Sequence, residues 1–104
     1  MYLRDFDYRL RTEETTLNNN FCGWDSNLRL KDVQFSEYIS SSTLRVTVKA
    51  RIEFYPPYTR DFVLNRFKEC CEEYIDEILE EFDYDEDDFK YVEYDYSVSA
   101  IPMA

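Results

Sequence analysis

Along the first eleven residues, Tyr2, Phe6, Tyr8 and Leu10 alternate for the most part with Asp5, Asp7, Arg9 and Arg11. This is the two-residue period of a strand with one face on a core, and it predicts a first strand. The polar stretch that follows holds Asn18, Asn19, Asn20, the only glycine, Gly23, and Trp24, and reads as a long loop. Leu28 and Leu30 then share one phase while Val33 and Phe35 share the other. A continuous second strand therefore needs an extra residue near Lys31 and Asp32, as a bulge supplies. Ser40, Ser41 and Ser42 make a turn into the most regular alternation of the chain. There Leu44, Val46, Val48, Ala50, Ile52 and Phe54 face one way, and Arg45, Thr47, Lys49, Arg51 and Glu53 the other. This third strand is expected at the centre of the sheet. Tyr55-Pro56-Pro57-Tyr58 ends it, because proline has no N–H for a ladder, and Thr59 suits a helix N-cap.

From there the period lengthens. At 100° per residue, Val63, Leu64, Phe67, Cys70, Cys71, Tyr74, Ile75, Ile78 and Phe82 fall within roughly 140°, which predicts a helix from about Arg60 to Phe82 lying on a sheet. An acidic connector from Asp83 to Asp88 leads to a last strand, with Val92, Tyr94, Tyr96, Val98 and Ala100 on one face and Glu93, Asp95, Ser97 and Ser99 on the other. The predicted order is β-β-β-α-β, an α+β fold with a four-stranded, mostly antiparallel sheet and one long acidic helix packed on one face. Parallel pairing of the last strand is also compatible with the pattern. A chain of 104 residues fits one domain, residues 1–104, since two cores would each be marginal in size.

Composition supports a packed core: 44% of residues are apolar and 18% aromatic, unlike a disordered acidic tail. The chain opens without the charged-then-apolar run of a signal peptide, and no stretch approaches the length of a membrane span. A cytoplasmic location, in a bacterial cell, is expected. Cys22, Cys70 and Cys71 are odd in number, and adjacent cysteines on a helix diverge, so reduced thiols are expected.

Charge changes the picture more. Up to Lys68 the net charge is +2, whereas from Glu69 onward it is −13, with Lys90 the only cation, giving −11 for the chain. The outer face of the predicted helix carries Glu69, Glu72, Glu73, Asp76, Glu77 and Glu80, with Glu81 at its edge. Like charges recur four residues apart at 69/73, 72/76, 73/77, 76/80 and 77/81. These pairs together cost about 1 to 2.5 kcal/mol at low salt. The acids also crowd the negative end of the helix dipole. Solubility needs far less charge, so the face is read as one selected to meet a basic surface. The alternative is a solvated helix face followed by an acidic loop.

Other chemistries fit less well. Asp83, Asp85 and Asp87 have the spacing that opens a calcium-binding EF-hand loop. However, Asp88 stands where its glycine belongs and Tyr94 where its bidentate glutamate belongs, so no metal site or cofactor is expected. The chain has no histidine, the commonest general base and zinc ligand. Its acids cluster on a convex surface that cannot push their pKa values apart, so catalysis is not expected. Cys70 and Cys71 belong with the apolar stripe, and Cys22 is open to reaction in a loop, although the sequence names no cationic neighbour to lower its pKa. Arg45, Lys49 and Arg51, joined by Arg9, Arg11, Arg29 and Lys31, suggest a basic sheet face. Cross-strand pairing with Asp5, Asp7, Glu53, Glu93 and Asp95 is the expected use of that charge. Trp24 reads either as a core plug or as an exposed interface residue.

The dense negative run from Glu69 to Asp88, in a short, aromatic, glycine-poor chain, is similar to small phage and mobile-element inhibitors of the anti-CRISPR type, several of which mimic DNA. The resemblance is one of charge pattern over about 20 residues. It implies an inhibitor that occupies the basic nucleic-acid groove of a bacterial effector nuclease. The partner-binding residues would be Glu69, Glu72, Glu73, Asp76, Glu80, Asp83, Asp85, Asp87 and Asp88, with Tyr84 and Phe89 as aromatic anchors. An immunity protein against a nuclease toxin would use the same physics. The alternative from another class is a non-enzymatic structural or assembly module that self-associates through an open sheet edge or hands its basic face to another acidic chain; for the inhibitor, a monomer or weak homodimer is expected.

Overall fold

In the computed structural model, residues 3–12, 14–23, 25–82 and 89–103 are described. The order is α1 (Leu3–Thr12), α2 (Glu14–Cys22), β1 (Leu28–Ser40), β2 (Thr43–Phe54), α3 (Arg60–Glu81) and β3 (Tyr91–Pro102). The fold is α+β, with a mixed sheet of three strands and three helices among the described residues. The expected four strands and single helix are therefore corrected. The first strand and the long loop are both helices.

The reason lies in a coincidence of periods. Phe6 and Leu10 are four residues apart, a spacing that suits both a strand face and a helix face. Leu3, half-buried, joins the fully buried Phe6 and Leu10 on one side, while Tyr8, counted toward a strand, is 66% exposed. Residues 1–11 also contain no β-branched side chain, which removes the main strand preference. Asp7 and Arg11 form an i,i+4 ion pair at 3.0 Å on this helix. In α2, Leu17 and Phe21 are fully buried and four residues apart, and the asparagines lie between them. Gly23 ends α2 at φ +59°, and its N–H donates to the Asn19 carbonyl at 2.8 Å. That is the left-handed cap that glycine adopts without Cβ strain.

The middle of the chain follows its pattern closely. The β1–β2 register shifts between Lys31 and Gln34, and Asp32 takes φ 57°, so the extra residue sits where the phase change required it. Ser41 and Ser42, at φ 50° and 65°, form the two-residue connection between the paired Ser40 and Thr43. Positive φ at both positions matches the twist of a tight hairpin. β2 is the central strand, antiparallel to β1 and parallel to β3.

The parallel pairing follows from α3. Its 22 residues rise about 33 Å, enough to carry the chain back along β2, so that β3 starts with Tyr91 beside Thr43. Thr59 caps α3, its Oγ1 accepting from the Phe62 N–H at 3.3 Å.

The core lies between one face of the sheet and the three helices. Leu44, Val46, Val48, Ala50, Ile52 and Phe54 of β2 meet Phe6 and Leu10 of α1, Phe21 of α2 and the inner side of α3. That inner side comprises Val63, Phe67, Cys71, Tyr74, Ile75, Ile78 and also Leu79. Phe21 meets Phe67 edge-on at 5.4 Å between ring centres, and Phe6 meets Phe82 at 6.2 Å. The buried Tyr74 hydroxyl donates to the Leu10 carbonyl at 2.8 Å, satisfying one of the acceptors that the end of α1 leaves open.

Candidate functional site: the outer face of helix α3

The same period that buries Phe67, Cys71 and Ile78 turns Glu69, Glu73, Asp76, Glu77 and Glu80 outward. All five are exposed, and Glu72 is half-buried on the flank nearest β3. Glu69, Glu73, Glu77 and Glu80 have no ion pair or hydrogen bond among the described residues. Asp76 differs, because it accepts a hydrogen bond from the Tyr94 hydroxyl at 2.9 Å. Glu81, at the edge, pairs with Arg9 of α1. Burial first, and then the Asp76 carboxylate, push the Tyr94 hydroxyl well above the ordinary tyrosine range. Tyr94 therefore stays neutral and acts as a donor to Asp76.

Several cations among the described residues are paired away from this face. On the open sheet face, Arg45 reaches Glu93 at 2.6 Å and Asp95 at 3.6 Å. Lys31 pairs with Glu53 at 3.3 Å, and Arg51 lies 3.8 Å from both Asp32 and Glu53. The Glu93 hydrogen bond holds the Arg45 guanidinium above its ordinary pKa. Pairing thus takes up Arg45, Arg51 and Lys31 of this basic face, as the residue pattern suggested for Glu53, Glu93 and Asp95, while Arg9 and Arg11 are corrected to α1, where they pair with Glu81 and Asp7. Asp5 and Asp7 do not join it, since they belong to α1. On α3 itself, Arg66 lies 6.0 Å over the Phe21 ring and Lys68 lies 5.5 Å over Tyr96.

At the N-terminal end of the acidic face, Phe62 is 51% exposed and stacks on Tyr58 at 5.8 Å. Tyr58 is tied down by its hydroxyl bond to Asp25, which raises the pKa of Tyr58 and lowers that of Asp25. A shallow groove of about 490 Å³ runs beside Phe62, lined by Asn20, Arg66, Glu69, Cys70 and Glu73. Sequence reasoning overlooked Phe62. The signal was present, since Phe62 lies seven residues before Glu69, on the charged side and outside the apolar stripe.

Of the residues expected to bind a partner, Glu69, Glu72, Glu73, Asp76 and Glu80 lie together along α3. Asp83, Tyr84, Asp85, Asp87 and Asp88, and with them the EF-hand-like spacing, lie outside the described residues, as does Trp24. Phe89 is corrected: at 2% exposure it is a core side chain and not a surface anchor. Cys22 is corrected likewise. It ends α2, is buried, and burial raises its thiol pKa, which opposes reactivity. All three cysteines are free thiols, and burial also raises Cys70 and Cys71.

One further pair of acids stands apart from α3. Glu37 points from the inner side of β1 toward Asp7 of α1, and its Oε2 is buried with no donor. Burial and the Asp7 carboxylate push Glu37 up to about 8, against the opposing pull of Arg11. A protonated Glu37 donates to Asp7, whereas an ionised one repels it. Among the described residues no cluster of three metal-ligating side chains occurs, and no helix is long and apolar enough to cross a membrane. Comparison with models of protein families, with curated proteins and with solved structures yields no match.

Proposed function

We propose that this chain is an inhibitor that lays the acidic outer face of α3 into the basic nucleic-acid groove of a bacterial effector nuclease, acting in the bacterial cytoplasm in the manner of anti-CRISPR DNA mimics. One observation carries this reading. On the open sheet face Glu53, Glu93 and Asp95 lie beside cations, whereas Glu69, Glu73, Glu77 and Glu80 have no partner among the described residues on one exposed helix face. From Glu69 to Glu80 the helix rises about 17 Å, over which duplex DNA presents on the order of ten charges. Four unpaired acids, with Asp76 beside them, compete for such a groove by releasing its counterions and by steering the encounter. Phe62 supplies an apolar contact at one end, of the kind that anchors interfaces. An immunity protein against a nuclease toxin is the same reading with a different target.

The test compares the wild type with a Glu69→Gln, Glu73→Gln, Glu77→Gln, Glu80→Gln variant, which leaves the Asp76–Tyr94 bond intact. Each is used to capture proteins from nuclease-treated bacterial lysate, and the captured nuclease is then assayed on its nucleic acid with and without the chain. The expected result is a nuclease retained and inhibited by the wild type, lost by the variant, and released by raised salt. A nuclease captured and inhibited equally by both proteins would remove α3 from the interface. Capture of no nuclease by the wild type would return the face to a solvated surface.

A further inference from the structure

The two outer edges of the sheet are built differently. The β1 edge is broken by the bulge at Asp32, carries Lys31, and turns Glu37 toward the core. Bulges, edge lysines and inward charges are the devices that keep an edge from pairing. β3 has none of these. It pairs with β2 from Tyr91 to Pro102 without a register shift, and its only proline is its last residue.

The free hydrogen-bonding groups of β3 can be assigned from its inner edge. The Tyr91 N–H donates to Ser42 at 3.2 Å and the Met103 N–H to Phe54 at 2.8 Å, so odd-numbered residues bond to β2. Val92, Tyr94, Tyr96 and Val98 therefore direct their N–H and C=O groups outward. The Ala100 carbonyl also points outward, and it accepts from Arg60 Nε at 3.2 Å. No strand pairs with this edge among the described residues.

We propose that this edge is a homodimer interface, in which two copies pair β3 antiparallel about Tyr96 and join their sheets into one of six strands. The side-chain order along β3 selects both the occupant and the register. Tyr91 and Ile101 are 66% and 37% exposed on the open face and lie symmetrically about Tyr96. Pairing about Tyr96 sets Tyr91 of one copy opposite Ile101 of the other, at both ends. It also sets Glu93 opposite Ser99 and Asp95 opposite Ser97, so no acid meets an acid. The register centred on Ser97 places Glu93 against Ile101 instead, and the one centred on Asp95 stacks acid on acid, which is unfavourable.

Helix α3 lies along the same edge. It runs opposite to β3, since Arg60 reaches Ala100, Lys68 lies over Tyr96, and Asp76 meets Tyr94. A two-fold axis at Tyr96 therefore brings Lys68 of one copy toward Lys68 of the other, with Glu72 next to them on each helix. The remaining acids of α3 repel across the axis, as do two chains of net charge −11, so salt strengthens the dimer by screening. The inference does not rest on the nuclease reading and is tested without a nuclease.

The experiment is sedimentation velocity over a concentration series at about 0.05 and 0.5 M NaCl, with circular dichroism to confirm that each variant folds. Expected is a reversible dimer favoured by salt. It should be tightened by Ser97→Lys with Ser99→Lys and weakened by Ser97→Asp with Ser99→Asp, each by about tenfold or more in Kd. In a Cys70→Ser background, a mixture of Tyr91→Cys and Ile101→Cys chains should form an intermolecular disulfide that neither forms alone. A strict monomer at millimolar concentration in the higher salt overturns the proposal. So does a dimer indifferent to the sign of charge at 97 and 99, or a Tyr91→Cys chain that cross-links to itself.

Discussion

The open face of the sheet and the outer face of α3 both carry many charges, yet they are organised by opposite rules. On the sheet, Arg45, Arg51 and Lys31 each lie within 4 Å of an acid on a neighbouring position. On α3, acid follows acid at the spacing where like charges repel. The difference teaches that total charge says little here. A charged face whose members neutralise one another is a structural device, while one that accumulates unpaired charge against its own stability calls for an external partner.

The largest expected effect separates the two sides of α3 itself. Phe67→Ala, at a fully buried position, should cost about 3 to 5 kcal/mol in chemical denaturation. Phe62→Ala, on the outer face, should stay within about 0.5 kcal/mol while weakening capture of the partner. A loss of several kcal/mol at Phe62 would mean that it serves the fold and not an interface.

Next in size is the repulsion on the outer face. The Glu69→Gln, Glu73→Gln, Glu77→Gln, Glu80→Gln variant should gain about 1 to 2 kcal/mol at low salt, a gain that shrinks as salt is added. No gain at low salt would mean that the like charges are already screened and that the contrast with the sheet is one of appearance.

Glu37 gives the next effect. In the unfolded chain it ionises near 4.5, and in the folded chain near 8. Between these values the native state holds a proton that the unfolded chain has lost, so its contribution to stability falls as pH rises through that window. Glu37 is partly exposed, and with screening Glu37→Gln should stabilise by about 1 kcal/mol at pH 8 and hardly at all near pH 4. Equal effects at both pH values would show that the carboxyl does not titrate between them.

The smallest effect belongs to the sheet. A double-mutant cycle on Arg45 and Glu93, whose side chains are both about half exposed, should return a favourable coupling smaller than any of the effects above, measurable by thermal or urea unfolding. A coupling of zero would leave the sheet face as idle in stability as the acidic face is costly.

Sequence made the second half of the fold legible because its signals were long and mutually consistent. The phase slip at Lys31–Asp32, the unbroken alternation of β2, Thr59 before a long apolar stripe and the alternation of β3 each outlast any accidental agreement of periods. The first 22 residues offered shorter signals. Phe6 and Leu10 satisfy either period, the exposed Tyr8 counterfeits a strand, and three asparagines conceal the Leu17–Phe21 pair that α2 buries. Tertiary burial, together with the Gly23 cap, decided these helices. For the candidate site, the α3 acids were readable from helical spacing. Phe89 was not, since a single aromatic beside an acidic run carries no period to tell core from surface.

The parallel pairing of β2 with β3 also orders events in time. Ser40 and Thr43 close the β1–β2 hairpin across two residues, whereas Thr43 must wait for Tyr91. Loop closure over that separation is slow compared with forming a hairpin or a helix. We therefore expect an early species in which the hairpin and α3 are formed and one edge of the most apolar strand, β2, is still bare. During synthesis that edge stays open until β3 has left the ribosome. The interval before β3 docks is thus the moment of greatest exposure to misassembly, and it lengthens with any substitution that slows the arrival of Tyr91 beside Thr43.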